Sequence, residues 1–163
     1  MSIAGQAEID ALQTTSAALA QLPIDGLVLG FINAGVLDLT ATKEVLAAAP
    51  NCRATFHRAF DNLPQPLRAL QKLKQLPQID RVLTSGGEGS WAERKARLLA
   101  WRSAAAPHIN IILAAGLCAS SLAENSKDLI DVEVHVGRAA RIPQVTSGSV
   151  NRSQVAALKR LLG

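Results

Sequence analysis

Apolar residues along the chain follow two spacings, one typical of strands and one typical of helices. Five short runs of apolar and β-branched residues lie 22 to 30 residues apart from centre to centre. They predict strands at 25–32, 53–60, 80–84, 109–114 and 132–136. Elsewhere apolar residues recur every three or four positions. This spacing predicts helices at 3–21, 41–49, 66–76, 91–104 and 151–162, with a further short helix opening at Ser121.

Polar residues mark where several of these helices should begin. Thr40 is placed to cap helix 41–49, and Asn151 is placed to cap the last helix. Two Ser-x-x-Glu sequences, at 90–93 and 121–124, have the pattern of a capping box. We therefore predict that helices start at those two serines.

Strands that alternate with helices predict a parallel sheet. Strand 25–32 is apolar almost throughout, as expected for a strand buried on both faces. The pattern leaves two architectures open, a doubly wound open sheet and part of a (β/α)8 barrel. A complete barrel has eight units in about 250 residues, so the five units of this 163-residue chain cannot close one. The length is that of a single domain, 1–163.

The composition of the chain argues against several classes of function. Aromatic residues make up 3% of the chain and tyrosine is absent, so a stacking platform for nucleic acid is not expected. The net charge of +4 is modest and the basic residues are scattered, which favours solvated helix faces over a nucleic-acid surface. No apolar run approaches the ~20 residues of a membrane span, and no leader pattern opens the chain. We expect a cytoplasmic protein with no membrane or nucleic-acid partner.

The predicted strand 53–60 carries the clearest candidate chemistry. Alternation along a strand would place His57 and Asp61 on one face, at the end of the strand where parallel-sheet sites occur. Glu133 and His135 share a face of the last predicted strand in the same way. If both faces point into one cavity, these four groups could serve general acid–base catalysis. The alternative is that His57 is a core histidine and Asp61 a turn residue. Whether the protein is an enzyme stays open.

A second candidate site is the glycine-rich stretch that precedes helix 91–104. Ser85, Gly86 and Gly87 would present backbone N–H groups near a helix N-terminus, which favours an anion such as a phosphorylated small molecule. The stretch matches no P-loop or dinucleotide fingerprint. The plainer interpretation is that the glycines serve tight strand-to-helix turns.

Three segments in order resemble one known family. Thr55-Phe56-His57-Arg58-Ala59-Phe60-Asp61, then Arg81-Val82-Leu83-Thr84-Ser85-Gly86, then Val132-Glu133-Val134-His135 are similar to the copper homeostasis protein CutC family. The resemblance implies an incomplete (β/α)8 TIM-barrel-like fold of five parallel strands alternating with helices. It also implies that the family's first three β/α units have no counterpart here. A fragment, half of a split pair and a short form completed by another chain all remain possible.

The resemblance implies copper homeostasis and copper binding, with copper as the cofactor. Cu(I) prefers thiolate and thioether ligands, and the two cysteines are Cys52 and Cys118. Cys118 lies in a loop after a predicted strand and is the better ligand, while Cys52 is expected to be structural. His57 and His135 could add imidazole ligands if they converge. The cysteines proposed as copper ligands in some members lie in the early strands that this chain lacks.

The predicted sheet leaves an exposed edge at strand 25–32, which something must cover. We expect a homo-oligomer, a dimer through helix 3–21 or strand 25–32, or a second chain that supplies the missing β/α units. A third interpretation follows, in which the chain is a truncated assembly subunit without an active site of its own.

Overall fold

The structure is a computed structural model that describes residues 5–129 and 132–162. Its helices are α1 (Gln6–Leu19), α2 (Leu39–Ala47), α3 (Pro66–Leu73), α4 (Trp91–Ala105), α5 (Ala119–Glu124) and α6 (Arg152–Leu162). Its strands are β1 (Gly26–Leu29), β2 (Ile32–Asn33), β3 (Val36–Leu37), β4 (Arg53–Phe56), β5 (Ile79–Thr84), β6 (Asn110–Ala114), β7 (Val134–His135), β8 (Arg141–Ile142) and β9 (Ser149–Val150). Short 3-10 helices cover Arg58–Asn62, Ser126–Asp128 and Arg138–Ala140.

Five of the strands form one sheet in the order β1-β4-β5-β6-β7. The register pairs Leu29 with Phe56 and Phe56 with Val82 in parallel, and Leu113 with Val134 further along. The predicted parallel sheet alternating with helices is confirmed. No helix within the described ranges is both long and apolar enough to cross a membrane.

The chain forms two compact units, one ending at Ile111 and the other beginning at Ile112. In the first unit α1 packs against α2 and α3 packs against α4. Its core contains Phe56, Leu70 and Val82, which are fully buried. The edge of Phe60 meets the ring of Trp101 at 5.3 Å between centroids, an arrangement that stabilises beyond the area it buries.

In the second unit α5 packs against α6, and Leu122 and Leu158 are buried. β8 and β9 form a small antiparallel hairpin before α6. The Asn151 side chain accepts a hydrogen bond from the backbone N–H of Gln154 at 3.1 Å, as the sequence predicted for the cap of the last helix.

The first strand differs from the prediction. The strand β1 covers four residues instead of 25–32, and it is not buried on both faces, since 69% of Val28 is exposed. The reason is its place at the edge of the described sheet, next to β4. The apolar residues that follow it belong partly to the small hairpin of β2 and β3.

Two of the predicted helix starts were wrong. Asp38, not Thr40, caps α2, because its carboxylate accepts from the backbone N–H of Ala41 at 2.9 Å. α5 begins at Ala119 with Cys118 as its cap, so Ser121 lies inside the helix and its hydroxyl accepts from the Cys118 N–H at 2.9 Å. The capping box of Ser90 and Glu93 is present.

Candidate functional site

The chain turns sharply just after β4. The predicted strand 53–60 ends at Phe56, and residues 58–62 form a 3-10 helix. The turn begins at His57, whose Nδ1 accepts a hydrogen bond from the backbone N–H of Ala59 at 3.1 Å. Strand alternation therefore does not relate His57 to Asp61, contrary to the prediction.

The 3-10 helix nevertheless brings these two residues to one place. An open depression of about 450 Å³ is lined by His57, Arg58, Ala59, Asp61, Asn62 and Leu83. No hydrogen bond joins the His57 and Asp61 side chains among the described contacts, and each has partners of its own. The two are neighbours at the carboxyl end of the sheet, and their acid–base role stays a prediction.

The Asp61 carboxylate connects the end of β4 to the end of β5. Oδ1 accepts from the hydroxyl of Thr84 at 2.5 Å, and both oxygens lie 3.1 Å from the backbone N of Ser85. Oδ2 also accepts from Nε of Arg58 at 2.9 Å. Since only 10% of the Asp61 side chain is exposed, its charge is satisfied almost entirely by protein donors.

His57 is held as a neutral imidazole. Burial, the largest influence, lowers its pKa below the ordinary value of 6.5. Because Nδ1 accepts from Ala59, the proton of the neutral ring belongs on Nε2. The ring lies against Gly30, where an added Cβ would stand only 2.5 Å from Nδ1. A larger residue at position 30 would displace the imidazole.

The backbone amides of the predicted anion site have partners within the protein. The N–H of Ser85 donates to Asp61, that of Gly86 to the hydroxyl of Thr84 at 3.1 Å, and that of Gly87 to the hydroxyl of Ser85 at 3.2 Å. An anion would have to compete with these acceptors. Anion binding by Ser85, Gly86 and Gly87 stays a prediction.

Two arginines of α4, which the sequence analysis missed, hold this loop. Arg94 Nε donates to the carbonyl of Ser85 at 2.7 Å, and Arg97 Nε donates to that of Gly86 at 2.6 Å. Burial lowers the pKa of Arg94. Attraction to Asp61 raises this pKa, and repulsion from Arg97 and Arg58 lowers it. Their spacing of three residues places them on one face of the helix, but the sequence does not mark the carbonyls that they bind.

Cys118 is the most reactive thiol of the described chain. Its sulfur lies 3.0 Å from the hydroxyl of Ser120 and 3.5 Å from that of Ser121. The hydrogen bond with Ser120, followed by those from the backbone and side chain of Ser121, lowers the pKa of the thiol from 9.0 to about 7. A larger share of this thiol is therefore thiolate at pH 7 than in an ordinary cysteine. Cys52, by contrast, is a buried thiol just before β4.

Replacing Ser120 by alanine should raise the pKa of Cys118 towards 9.0, since Ser120 makes the largest contribution. We expect the rate of alkylation by iodoacetamide at pH 7 to fall several-fold, while the rate at pH 10 stays unchanged. Ser103→Ala, on α4, is the control. An unchanged pH profile for Ser120→Ala would show that Ser120 does not activate the thiol.

The remaining candidates lie in the second unit. His135 is an exposed residue of β7, and Glu133 is exposed just before that strand. Their convergence with His57 and Asp61 stays a prediction. Within residues 5–129 and 132–162 no three His, Cys, Asp or Glu side chains are grouped so that they could hold a metal ion.

The parallel sheet, its alternating helices and the polar residues at the strand ends define a protein of the TIM-barrel-like β/α class. Its sequence matches that of the CutC family over residues 3–142. The chain belongs to the CutC family.

Similar proteins agree with this membership. The CutC family protein of Enterobacter sp. (strain 638) is 38% identical over 116 residues, covering 71% of this chain and 46% of the relative. That of Caulobacter vibrioides (strain NA1000 / CB15N) is 31% identical over 152 residues, covering 93% of this chain and 60% of the relative. The chain therefore spans about half the length of the curated relatives it matches.

A solved structure shares the fold. The crystal structure of CutC from Streptococcus agalactiae, a protein assigned to copper homeostasis, superposes with a TM-score of 0.72 at 22% sequence identity. The match covers 82% of this chain and 65% of the other. At this identity the similarity concerns the fold alone.

Proposed function

We propose that this chain acts in cytoplasmic copper homeostasis by holding Cu(I) as cargo through the thiolate of Cys118. The observation that carries the proposal is the accessible, acidified thiol of Cys118. Membership of the CutC family supports the choice of metal. Cu(I) is a soft ion that prefers thiolate to imidazole or carboxylate, so a thiol whose pKa is lowered to about 7 is a suitable first ligand.

One thiolate does not complete a Cu(I) site, and we propose that a second copy supplies the other. The described residues contain no cluster of three metal ligands, and Cys52 is buried. Two copies of Cys118 would give Cu(I) a two-coordinate thiolate site. This arrangement needs no ligand from the family's early strands.

Cu(I) titration should separate the roles of the two cysteines. In ascorbate, with a chromophoric Cu(I) chelator as competitor, we expect the wild type to take up one Cu(I) per two chains and to become dimeric by light scattering. Cys118→Ser should lose this uptake, because serine is a poor ligand for a soft metal. Cys52→Ser is the matched control and should retain it.

Two results would contradict the proposal. One is equal uptake by the wild type and Cys118→Ser, which would assign binding to other groups. The other is failure of the wild type to compete with the chelator at all.

A further inference from the structure

We infer that the depression beside the 3-10 helix at 58–62 binds the phosphate group of a small phosphomonoester, with Arg58, Asn62 and His57 as its hydrogen-bond donors. The inference does not depend on copper, because it uses residues of the first compact unit and requires no metal. In this site side chains hold the anion, and not the backbone amides of the glycine-rich loop.

Arg58 is the central donor. Asp61 holds its guanidinium through Nε at 2.9 Å, while the two terminal nitrogens make no hydrogen bond within the described residues. Half of the side chain is exposed, so these nitrogens are accessible from the depression. A guanidinium fixed at one edge and open at the other is prepared to bind an oxyanion with little loss of side-chain entropy.

Asn62 and His57 supply two further donors. Asn62 is exposed, and both residues line the depression. The neutral imidazole carries its proton on Nε2, because Nδ1 accepts from Ala59. Three donors in one depression suit the three terminal oxygens of a phosphate group better than a planar carboxylate, whose two oxygens one guanidinium can satisfy.

The charges around the depression also favour an anion. Arg58 and Arg94 are two positive charges close to the single negative charge of Asp61. Arg97 adds a third positive charge, which Glu93 partly offsets. Nη2 of Arg94 is buried without a hydrogen-bond partner. Arg58, paired with Asp61 at 2.9 Å, offsets the negative charge of that carboxylate. The surroundings therefore retain an excess of positive charge.

Titration with inorganic phosphate at constant ionic strength tests the inference on the metal-free chain. We expect saturable binding in calorimetry, with Kd on the order of 1 mM, and amide shifts in NMR spectra centred on residues 57–62. Arg58→Gln should raise Kd at least about tenfold. Arg58→Lys should restore only part of the affinity, because it keeps the charge and loses the planar fork.

The control is Arg53→Gln, at the start of β4. Arg53 is also an exposed arginine paired with an aspartate, Asp80, at 3.5 Å, so it matches Arg58 in charge and setting but lies at the other end of the strand. We expect it to change Kd less than about twofold. Tryptophan fluorescence confirms that each variant is folded.

Three outcomes would overturn the inference. Equal losses in Arg58→Gln and Arg53→Gln would show that only overall charge matters. Acetate that binds as tightly as phosphate at the same ionic strength would refute the phosphate assignment. The absence of saturable phosphate binding to the folded wild type would refute the site itself.

Discussion

Replacing Asp61 by alanine is expected to lower the free energy of unfolding by about 3 kcal/mol. The carboxylate accepts hydrogen bonds from the Thr84 hydroxyl, the Ser85 backbone and the Arg58 guanidinium. Thr84 is fully buried, so removing the acceptor leaves a buried hydroxyl with one fewer partner. Arg58 and Arg94 would also face each other without the intervening negative charge.

Urea unfolding followed by tryptophan fluorescence can measure this loss. Trp101 packs against Phe60, and Phe60 belongs to the same 3-10 helix as Asp61. Asp80→Ala is the matched control. Asp80 also pairs with arginines, but at 3.5 Å, and its Oδ1 is buried without a hydrogen-bond partner. We expect a cost below about 1 kcal/mol there. Equal costs for the two aspartates would refute the bridging role assigned to Asp61.

The sequence predicted the sheet well because its strands and helices differ in hydrophobic period. It predicted the end of β4 poorly for a local reason. His57 continues the alternation of Thr55, but its ring nitrogen caps the following 3-10 helix and stops the strand. A side chain that accepts from the backbone two residues ahead competes with strand geometry, and alternation alone does not reveal it.

The candidate site was predicted only in part. His57 and Asp61 were identified because titratable residues at strand ends are informative, and they do line one depression. Arg94 and Arg97 were assigned to a solvated helix face, because their loop partners are backbone carbonyls nine to eleven positions earlier in the chain. Backbone acceptors of this kind leave no trace in the sequence.

The surroundings of Cys118 were also predicted only in part. Its place in a loop after a strand indicated a ligand, but Ser121 was interpreted as the start of a helix. In the structure Cys118 itself is the cap. Its sulfur lies 3.0 Å from the Ser120 hydroxyl and accepts from the backbone N–H of Ser121. A one-turn error in the helix start therefore concealed the feature that makes this thiol acidic.

Gln78 carries the other large expected effect. Its side-chain amide donates to three carbonyls at the end of α2 and the approach to β4, those of Leu46, Ala49 and Cys52, at 2.8–3.3 Å. Gln78→Glu keeps the shape and removes both donors, so that a carboxylate would face three carbonyl oxygens. We expect the free energy of unfolding at pH 7 to fall by about 3 kcal/mol.

The pH dependence of this loss distinguishes repulsion from a packing defect. In the folded chain the carbonyls disfavour the ionised form, so the pKa of the introduced carboxyl should rise above its value in the unfolded chain. The folded state then binds the proton more tightly, and the destabilisation relative to the wild type should shrink as the pH falls towards 4. Urea unfolding at pH 7 and pH 4 measures the difference.

Gln75→Glu provides the control for this experiment, because Gln75 is exposed three residues earlier in the chain. The same change of charge there should cost no more than about 0.5 kcal/mol at either pH. A penalty for Gln78→Glu that is independent of pH would mean that altered packing, and not the loss of donors to the three carbonyls, destabilises the junction between α2 and β4.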